Sequence, residues 1–254
     1  MKTYGLGIDI GGSGIKAGLV DLDSGEMLGE RLKVDTPKPS TPDAVAACIH
    51  DLLKEMDFNG QKIGCGFPAI IQNGTALSAA NIDKSWMGVN VEELLHKYTG
   101  HKYSVINDAD AAGMAERMFG KIKNVKGTVI LLTLGTGIGS ALFYDGILVP
   151  NTEFGHINYK GKIAEDWVSN RARKERSLEY DEWADELAEF LDYLILLFSP
   201  QLFVLGGGIS FRFEEFAHHF QHLRTPVTCA SSFNDAGIIG AAVAAFPELM
   251  APYT

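Results

Sequence analysis

The sequence predicts an α/β fold built as two halves of related architecture, and three observations predict it. Apolar strand patterns run ahead of amphipathic helical patterns in both halves of the chain. A glycine-rich hairpin near the N-terminus is echoed half a chain later. A third glycine cluster, Gly206-Gly207-Gly208, closes a further apolar strand, a place where backbone can approach a ligand closely.

The first hairpin spans residues 5–25, with the turn Asp9-Ile10-Gly11-Gly12-Ser13-Gly14-Ile15-Lys16 between two apolar strands and an Asp-containing turn after the second. Residues 128–146 repeat that layout around Leu134-Gly135-Thr136-Gly137-Ile138-Gly139-Ser140. Between the two, Lys33–Pro42 carries three prolines and reads as an extended connection. Thr41 reads as the N-cap and Pro42 as the first residue of a helix running through Met56. A glycine-interrupted strand follows at Ile63–Phe67, then helical patterns over Val91–Tyr98 and Ala109–Met118, the second entered from a strand ending at Val105-Ile106. Beyond the echo, Pro150–Ile163 is irregular and Tyr180–Phe198 is a long helix. Leu202–Leu205 is a strand, and Ala236–Ala245 a helix of small residues. We expect a smaller N-terminal α/β domain over 1–107 and a larger one over 108–254. The C-terminal helix, 236–246, is able to return to the first.

Composition narrows the function. With 254 residues, 46% hydrophobic and 21% charged, the chain is ordinary for a cytoplasmic globular protein. No apolar run reaches the ~20 residues that span a bilayer, and the N-terminus lacks a signal-peptide layout. Cys48, Cys65 and Cys229 are too scattered for a disulfide framework or zinc knuckle, which suits a reducing compartment. A formal net charge of −10 argues against nucleic-acid binding. An anionic substrate would therefore need positive charge and backbone N–H groups concentrated locally.

The turns offer that concentration. Gly11, Gly12 and Gly14 let backbone N–H groups face a bulky anion, Ser13 can donate a hydrogen bond, and Lys16 can supply charge. Asp9, at a strand end, is placed to hold hydrated Mg²⁺ or a water beside the phosphates. Gly135, Thr136 and Gly137 repeat the chemistry, and Gly207 and Gly208 add a third approach. Asn107 and Asp108 stand at a strand's C-terminal edge, where open α/β sheets bind ligands. A carboxylate there can take the proton of an attacking hydroxyl, a role worth roughly 10²–10⁴ in rate. Helix N-capping is the plain alternative, and Asp110 suits it better than Asp108. Glu153 and His156, three residues apart, can accept from and donate to neighbouring sugar hydroxyls, and the loop around Asn81 offers an amide.

In order and spacing, Asp9–Lys16, Asn107-Asp108, Leu134–Ser140, Glu153-x-Gly-His156 and Gly206–Ser210 resemble the ROK family of sugar kinases, in the actin–hexokinase superfamily. The stretches Thr36–Pro42, Ala79–Trp86 and Val149–Glu153 are similar to its polyphosphate glucokinase branch. The resemblance implies two ribonuclease H-like (actin-like ATPase) domains with a cleft between them, and commonly a cytoplasmic homodimer. It implies Asp108 as the base acting on the glucose 6-hydroxyl, and Asn81, Asn107, Glu153 and His156 as sugar ligands. Glu165 would be a further sugar ligand, less securely placed because the cysteines that precede its family counterpart are missing here. For the same reason no structural zinc is expected. The donor would be polyphosphate, ATP or both, with Mg²⁺. A polyphosphate chain would need a basic track, for which Lys121, Lys123 and Lys126, or Arg171, Arg173, Lys174 and Arg176, are candidates. The rivals are a strictly ATP-dependent hexokinase and a non-catalytic sugar-binding regulator of the same family. The regulator is disfavoured by the candidate base and by the lack of a helix-turn-helix ahead of residue 5.

Overall fold

Alternating apolar residues pair β1 (Tyr4–Ile10) with β2 (Gly14–Asp21) antiparallel, from Tyr4 opposite Asp21 to Ile10 opposite Ile15. The structure, a computed structural model, describes residues 3–60, 62–231 and 235–250. The chain continues through β3 (Leu32–Asp35), α1 (Pro42–Glu55), β4 (Lys62–Phe67), β5 (Ile71–Gln72), β6 (Thr75–Ala76), α2 (Val91–Thr99), β7 (Lys102–Asn107) and α3 (Asp108–Phe119). Then come β8 (Thr128–Leu134), β9 (Ile138–Tyr144), β10 (Ile147–Val149), β11 (Asn158–Tyr159), β12 (Lys162–Ile163), α4 (Glu165–Val168), α5 (Asn170–Glu175) and α6 (Tyr180–Phe198). The last elements are β13 (Leu202–Gly206), α7 (Phe213–Phe216), β14 (Val227–Cys229) and α8 (Ala236–Ala244).

These elements form two compact units. Among the described residues, those up to Ala115 and from Asp235 to Met250 make the first; those from Glu116 to Ser231 make the second. The sequence expectation set the division after residue 107. The contacts divide the chain after Ala115, because α8 lies on the start of α3: a Cβ on Gly240 would sit 1.6 Å from the Ala111 carbonyl oxygen. With α8 included, the first unit takes in the larger part of the chain.

The first sheet has the order β3-β2-β1-β4-β7, with β1, β4 and β7 parallel. One face of β1 and β4 is glycine where α8 crosses. A Cβ on Gly7 would meet the Ile238 carbonyl oxygen at 1.8 Å, and one on Gly64 the Ala241 carbonyl oxygen at 1.6 Å. The absence of side chains there lets helix backbone lie directly on strand backbone. Leu6, Ile8, Ile10, Val45, Ile49 and Leu52 fill the core, and the buried Trp86 ring meets Phe67 edge-on at 4.7 Å. Thr41 is the N-cap of α1 as expected, with extended backbone and no side-chain capping bond. Pro42 has no N–H to satisfy, and Asp43 in the first turn supplies the favourable negative charge.

The second sheet repeats the plan, β10-β9-β8-β13-β14, with β8, β13 and β14 parallel. Each sheet therefore reads third, second, first, fourth, fifth strand of its own set, so the echo in sequence is an echo in topology. The apolar stripe of α6, including Trp183, Leu187, Phe190, Leu191 and Leu194, packs with Ile130 and Leu132 from β8. Among the described residues, no helix is long and apolar enough to cross a membrane.

Candidate active site

In the first unit, parallel register sets the candidate residues along one sheet edge. Asp9 pairs with Gly66, Gly66 with Ile106, and Phe67 with Asn107. Asp9 and Asp108 therefore close strands two spacings apart, ~10 Å across the C-terminal edge. Asp9 is ion-paired to Lys16, its partner across the hairpin, at 3.1 Å. Lys16 charge is thus partly spent on Asp9 rather than wholly presented at the turn. The Asp9 carboxylate also faces Gly237 in the first turn of α8, where a Cβ would lie 2.7 Å from its carboxyl carbon. A helix N-terminus favours negative charge there. Nearby, burial pushes the Cys65 thiol far up, with Asp9 and Glu92 adding to the shift, so it is an inert core residue.

The turn itself is closed by Gly11 N–H donating to Gly14 O at 2.9 Å, leaving Gly12 and Ser13 exposed. Two segments brace it. Thr36 Oγ1 donates to Gly11 O at 2.6 Å, and Thr36 N–H donates to Ser13 O at 3.3 Å. The Asn81 carbonyl oxygen lies where a Cβ on Gly12 would come within 2.8 Å, so the Asn81 loop rests against the turn. Ser40 holds that loop: its Oγ accepts from Asp83 N–H at 3.1 Å and its carbonyl from the Trp86 indole N–H at 2.8 Å.

Asn107 caps α3. Its Oδ1 accepts from Ala109 N–H at 2.8 Å and Asp110 N–H at 3.2 Å, while Nδ2 donates to Ala69 O at 3.1 Å. The capping role weighed for Asp110 thus falls to Asn107, which is buried and holds the strand-to-helix junction on which Asp108 sits. Asp108 is half-buried, and its Oδ1 accepts from Ala109 N–H at 2.9 Å.

In the second unit the turn is closed by Gly135 N–H donating to Gly137 O at 3.0 Å. Glu165 Oε2 accepts from Ile138 N–H at 3.1 Å and lies where a Cβ on Gly137 would come within 2.4 Å. Arg171 completes the brace: its backbone N–H donates to Gly135 O at 3.1 Å and its Nε to Thr136 O at 2.9 Å. Its guanidinium bonds Asp166 at 3.0 Å, with Glu175 at 3.3 Å and Glu165 at 3.9 Å. The Asp166 hydrogen bond pushes the Arg171 pKa further up, so the brace stays charged. Gly207, at φ 83°, sits against Leu134, where a Cβ would come within 2.7 Å of its carbonyl oxygen; the second and third glycine turns therefore adjoin. Glu153 precedes and His156 ends the short helical turn Phe154–His156, and the two are bonded, Oε2 to Nδ1, at 3.0 Å. Ser140 Oγ anchors this segment by donating to Thr152 O at 2.7 Å and accepting from Phe154 N–H at 3.0 Å.

The candidate residues fall into two groups. The first unit gathers Asp9–Lys16, Asn81, Asn107 and Asp108; the second gathers Gly135–Gly137, Glu153, His156, Glu165, Gly207 and Gly208. Thr36 and the bracing role of Arg171 were not read from sequence. Thr36 entered only as the first residue of the Thr36–Pro42 stretch, which marks no contact with a turn, and Arg171 was read as part of a charge run. That run is largely engaged: Arg173 lies over the Tyr180 ring at 4.2 Å, and Arg176 bonds both oxygens of Glu186 at 2.6 Å. Lys121 and Lys123, in contrast, are exposed.

A family model described as the ROK family matches residues 5–165. The chain is 43% identical over 248 residues to a polyphosphate glucokinase of Mycobacterium tuberculosis, covering 97% of this chain and 93% of that one. An inorganic polyphosphate/ATP-glucomannokinase from Arthrobacter sp. strain KM matches with a TM-score of 0.90 at 47% identity, covering 95% of this chain and 97% of that one. A ROK family glucokinase from Streptomyces griseus shares the fold, with a TM-score of 0.79 at 24% identity over 96% and 99% of the two chains. The architecture is the actin-like ATPase fold of such kinases, and the chain belongs to the ROK family.

Proposed function

We propose that this protein is a glucokinase that transfers a phosphoryl group from polyphosphate, and also from ATP, to the 6-hydroxyl of glucose. The observation that carries this reading is the near full-length likeness to a polyphosphate glucokinase, 43% over 97% of the chain. The geometry agrees, with a carboxylate, Asp108, at the ligand-binding edge of a sheet in which β1, two strands away, ends in a braced glycine turn. A cytoplasmic homodimer belongs to the same reading.

In this account Asp108 accepts the proton of the attacking hydroxyl. Asn81, Glu153, His156 and Glu165 bond the sugar hydroxyls, the Glu153–His156 pair offering acceptor and donor together. Asn107 acts at one remove or through its second amide hydrogen, since its capping bonds fix the Asp108 backbone. The turns Gly11–Gly14, Gly135–Gly137 and Gly207–Gly208 direct backbone N–H groups at the donor, which needs positioning and charge neutralisation more than covalent help. Asp9 fits a hydrated Mg²⁺: it is an oxygen donor at a strand end, 17% exposed, and this ion is commonly held by one or two carboxylates together with substrate phosphates. When bound, Mg²⁺ would neutralise charge along the donor. The extended donor would run past Lys121 and Lys123 rather than along Arg171 and Arg176, whose charges are met by Asp166, Glu175 and Glu186.

The test is phosphorylation of glucose with each donor in turn, with the product identified as glucose 6-phosphate. We expect turnover with both. Product from ATP alone would end the polyphosphate reading, and product from neither would end the kinase reading. Charge reversal at Lys121 and Lys123 together should raise the polyphosphate KM at least about tenfold and leave the ATP KM unchanged. An equal effect on both donors would remove the lysine track.

A further inference from the structure

Away from the glycine turns, α6 meets the short helical turn Ala217–Phe220 through four polar side chains. Asp181 and Asp185 stand one turn apart on α6 and so share a face. His218 and His219 come from the facing turn. His219 Nε2 lies 3.1 Å from Asp181 Oδ1, and His218 Nε2 lies 3.9 Å from the same oxygen. On its other side, His219 Nδ1 lies 2.6 Å from Asp185 Oδ1. One ligating atom from each of Asp181, His218 and His219 falls within 4.8 Å of the others.

We propose that Asp181, His218 and His219 form a binding site for a divalent transition-metal ion of the Zn²⁺ class, with Asp185 orienting His219 from behind. Four observations support it. Ligands ~2.1 Å from a tetrahedral ion stand roughly 3.4 Å apart, close to the 3.1 and 3.9 Å by which the two histidines already approach Asp181 Oδ1. The two side chains that must shift are the exposed ones, His218 at 59% and Asp181 at 70%. The third, His219, is only 13% exposed and already fixed, and a carboxylate on the far imidazole nitrogen is the usual support behind a ligating histidine. The platform is firm, because Phe216 and Phe220 flank the histidines and Phe216 packs edge-on against Trp183 at 5.2 Å.

The donor set decides the class of ion. Two imidazole nitrogens and one carboxylate suit Zn²⁺, Co²⁺, Ni²⁺ or Cu²⁺ and are poor for Mg²⁺ or Ca²⁺, which prefer all-oxygen shells. Water would complete the coordination. A plain ion pair of His219 with the two aspartates uses three of the four groups; His218 brings a second imidazole nitrogen to the same oxygen. The site contains no cysteine, and it would tie the start of α6 to the segment before β14.

The experiment is a titration of the full-length protein with Co²⁺, followed by visible absorption, and with Zn²⁺ in competition with a chromophoric chelator. We expect one saturable equivalent and a Co²⁺ spectrum with nitrogen-ligand bands. His218→Ala should lower the affinity at least tenfold, and Asp185→Asn about 10–100-fold. Excess Mg²⁺ should not displace the ion, and Zn²⁺ should raise the Tm of the parent but not of His218→Ala. Glucose phosphorylation by His218→Ala should match the parent. Loss of the saturable equivalent in the parent, or parent-like binding in His218→Ala, would overturn the proposal.

Discussion

The turn Gly11–Gly14 and the turn Gly135–Gly137 close matching hairpins in sheets of the same strand order, yet their supports are unrelated. The first rests on neutral groups, the Thr36 hydroxyl and the Asn81 loop, with an Asp9–Lys16 pair in the strands behind it. The second has Thr133 and Leu134 where the first has Asp9 and Ile10, and is held by an ionic cluster, Glu165, Arg171 and Asp166, arriving from α4 and α5. The faces of the sheets differ as well. The first is stripped to glycine beneath α8, whereas the second is covered by α6 through large apolar side chains. Repetition of a hairpin repeats the backbone N–H groups that can face a phosphate, and leaves their bracing to whatever segment lies nearby.

Substitutions can break this contrast. The largest effect is expected at Gly64, where valine would drive side-chain atoms into the Ala241 backbone. Gly64→Val should destabilise the first unit by about 3 kcal/mol or more. Gly206→Ala in the second sheet, with no neighbour closer than 3.5 Å, should cost at most about 1 kcal/mol by chemical denaturation. Equal losses would mean that the two sheet faces are alike after all.

Next comes Arg171→Ala. Because it frees the Gly135–Thr136 turn, it should raise the KM of polyphosphate and of ATP alike, by about tenfold. A loss confined to polyphosphate would instead make Arg171 a contact of the extended donor. Thr36→Val removes one hydroxyl bond from the first turn and should cost about 1 kcal/mol, with a smaller rise in donor KM. The Arg171 brace is partly exposed, so added salt should weaken donor binding by the parent through both screening and loosening, while the Thr36 brace is indifferent to salt. The smallest effect is expected for Arg176 and Glu186, a bidentate pair about a third exposed on each side. A double-mutant cycle there should return no more than about 1 kcal/mol.

Much of this was legible in the sequence. Apolar periodicity marked the hairpins, α1, α6 and the strand before Gly206, and the repeated turns announced the shared topology. Glycine among small residues located the three turns, and at Gly12, Gly137 and Gly207 a Cβ would indeed collide with a neighbour. Other features were hidden for physical reasons. The pairing of Lys16 with Asp9 depends on cross-strand register, which a sequence leaves implicit. Thr36 and Arg171 reach their turns across 25 and 35 residues, and no local pattern records such contacts. Asn107 was seen beside Asp108, but its capping bonds depend on where α3 begins, which periodicity places only to within a residue or two.

The central claim is that Asp108 acts as the base for a sugar hydroxyl, and kinetics of Asp108→Asn test it most directly. The substitution keeps shape and can still accept the Ala109 N–H bond, while removing the carboxylate. We predict that kcat for glucose phosphorylation falls by at least about 10²-fold with either donor while the glucose Kd stays within a few-fold of the parent. A variant turning over within tenfold of the parent would contradict the account and move the search for the base elsewhere.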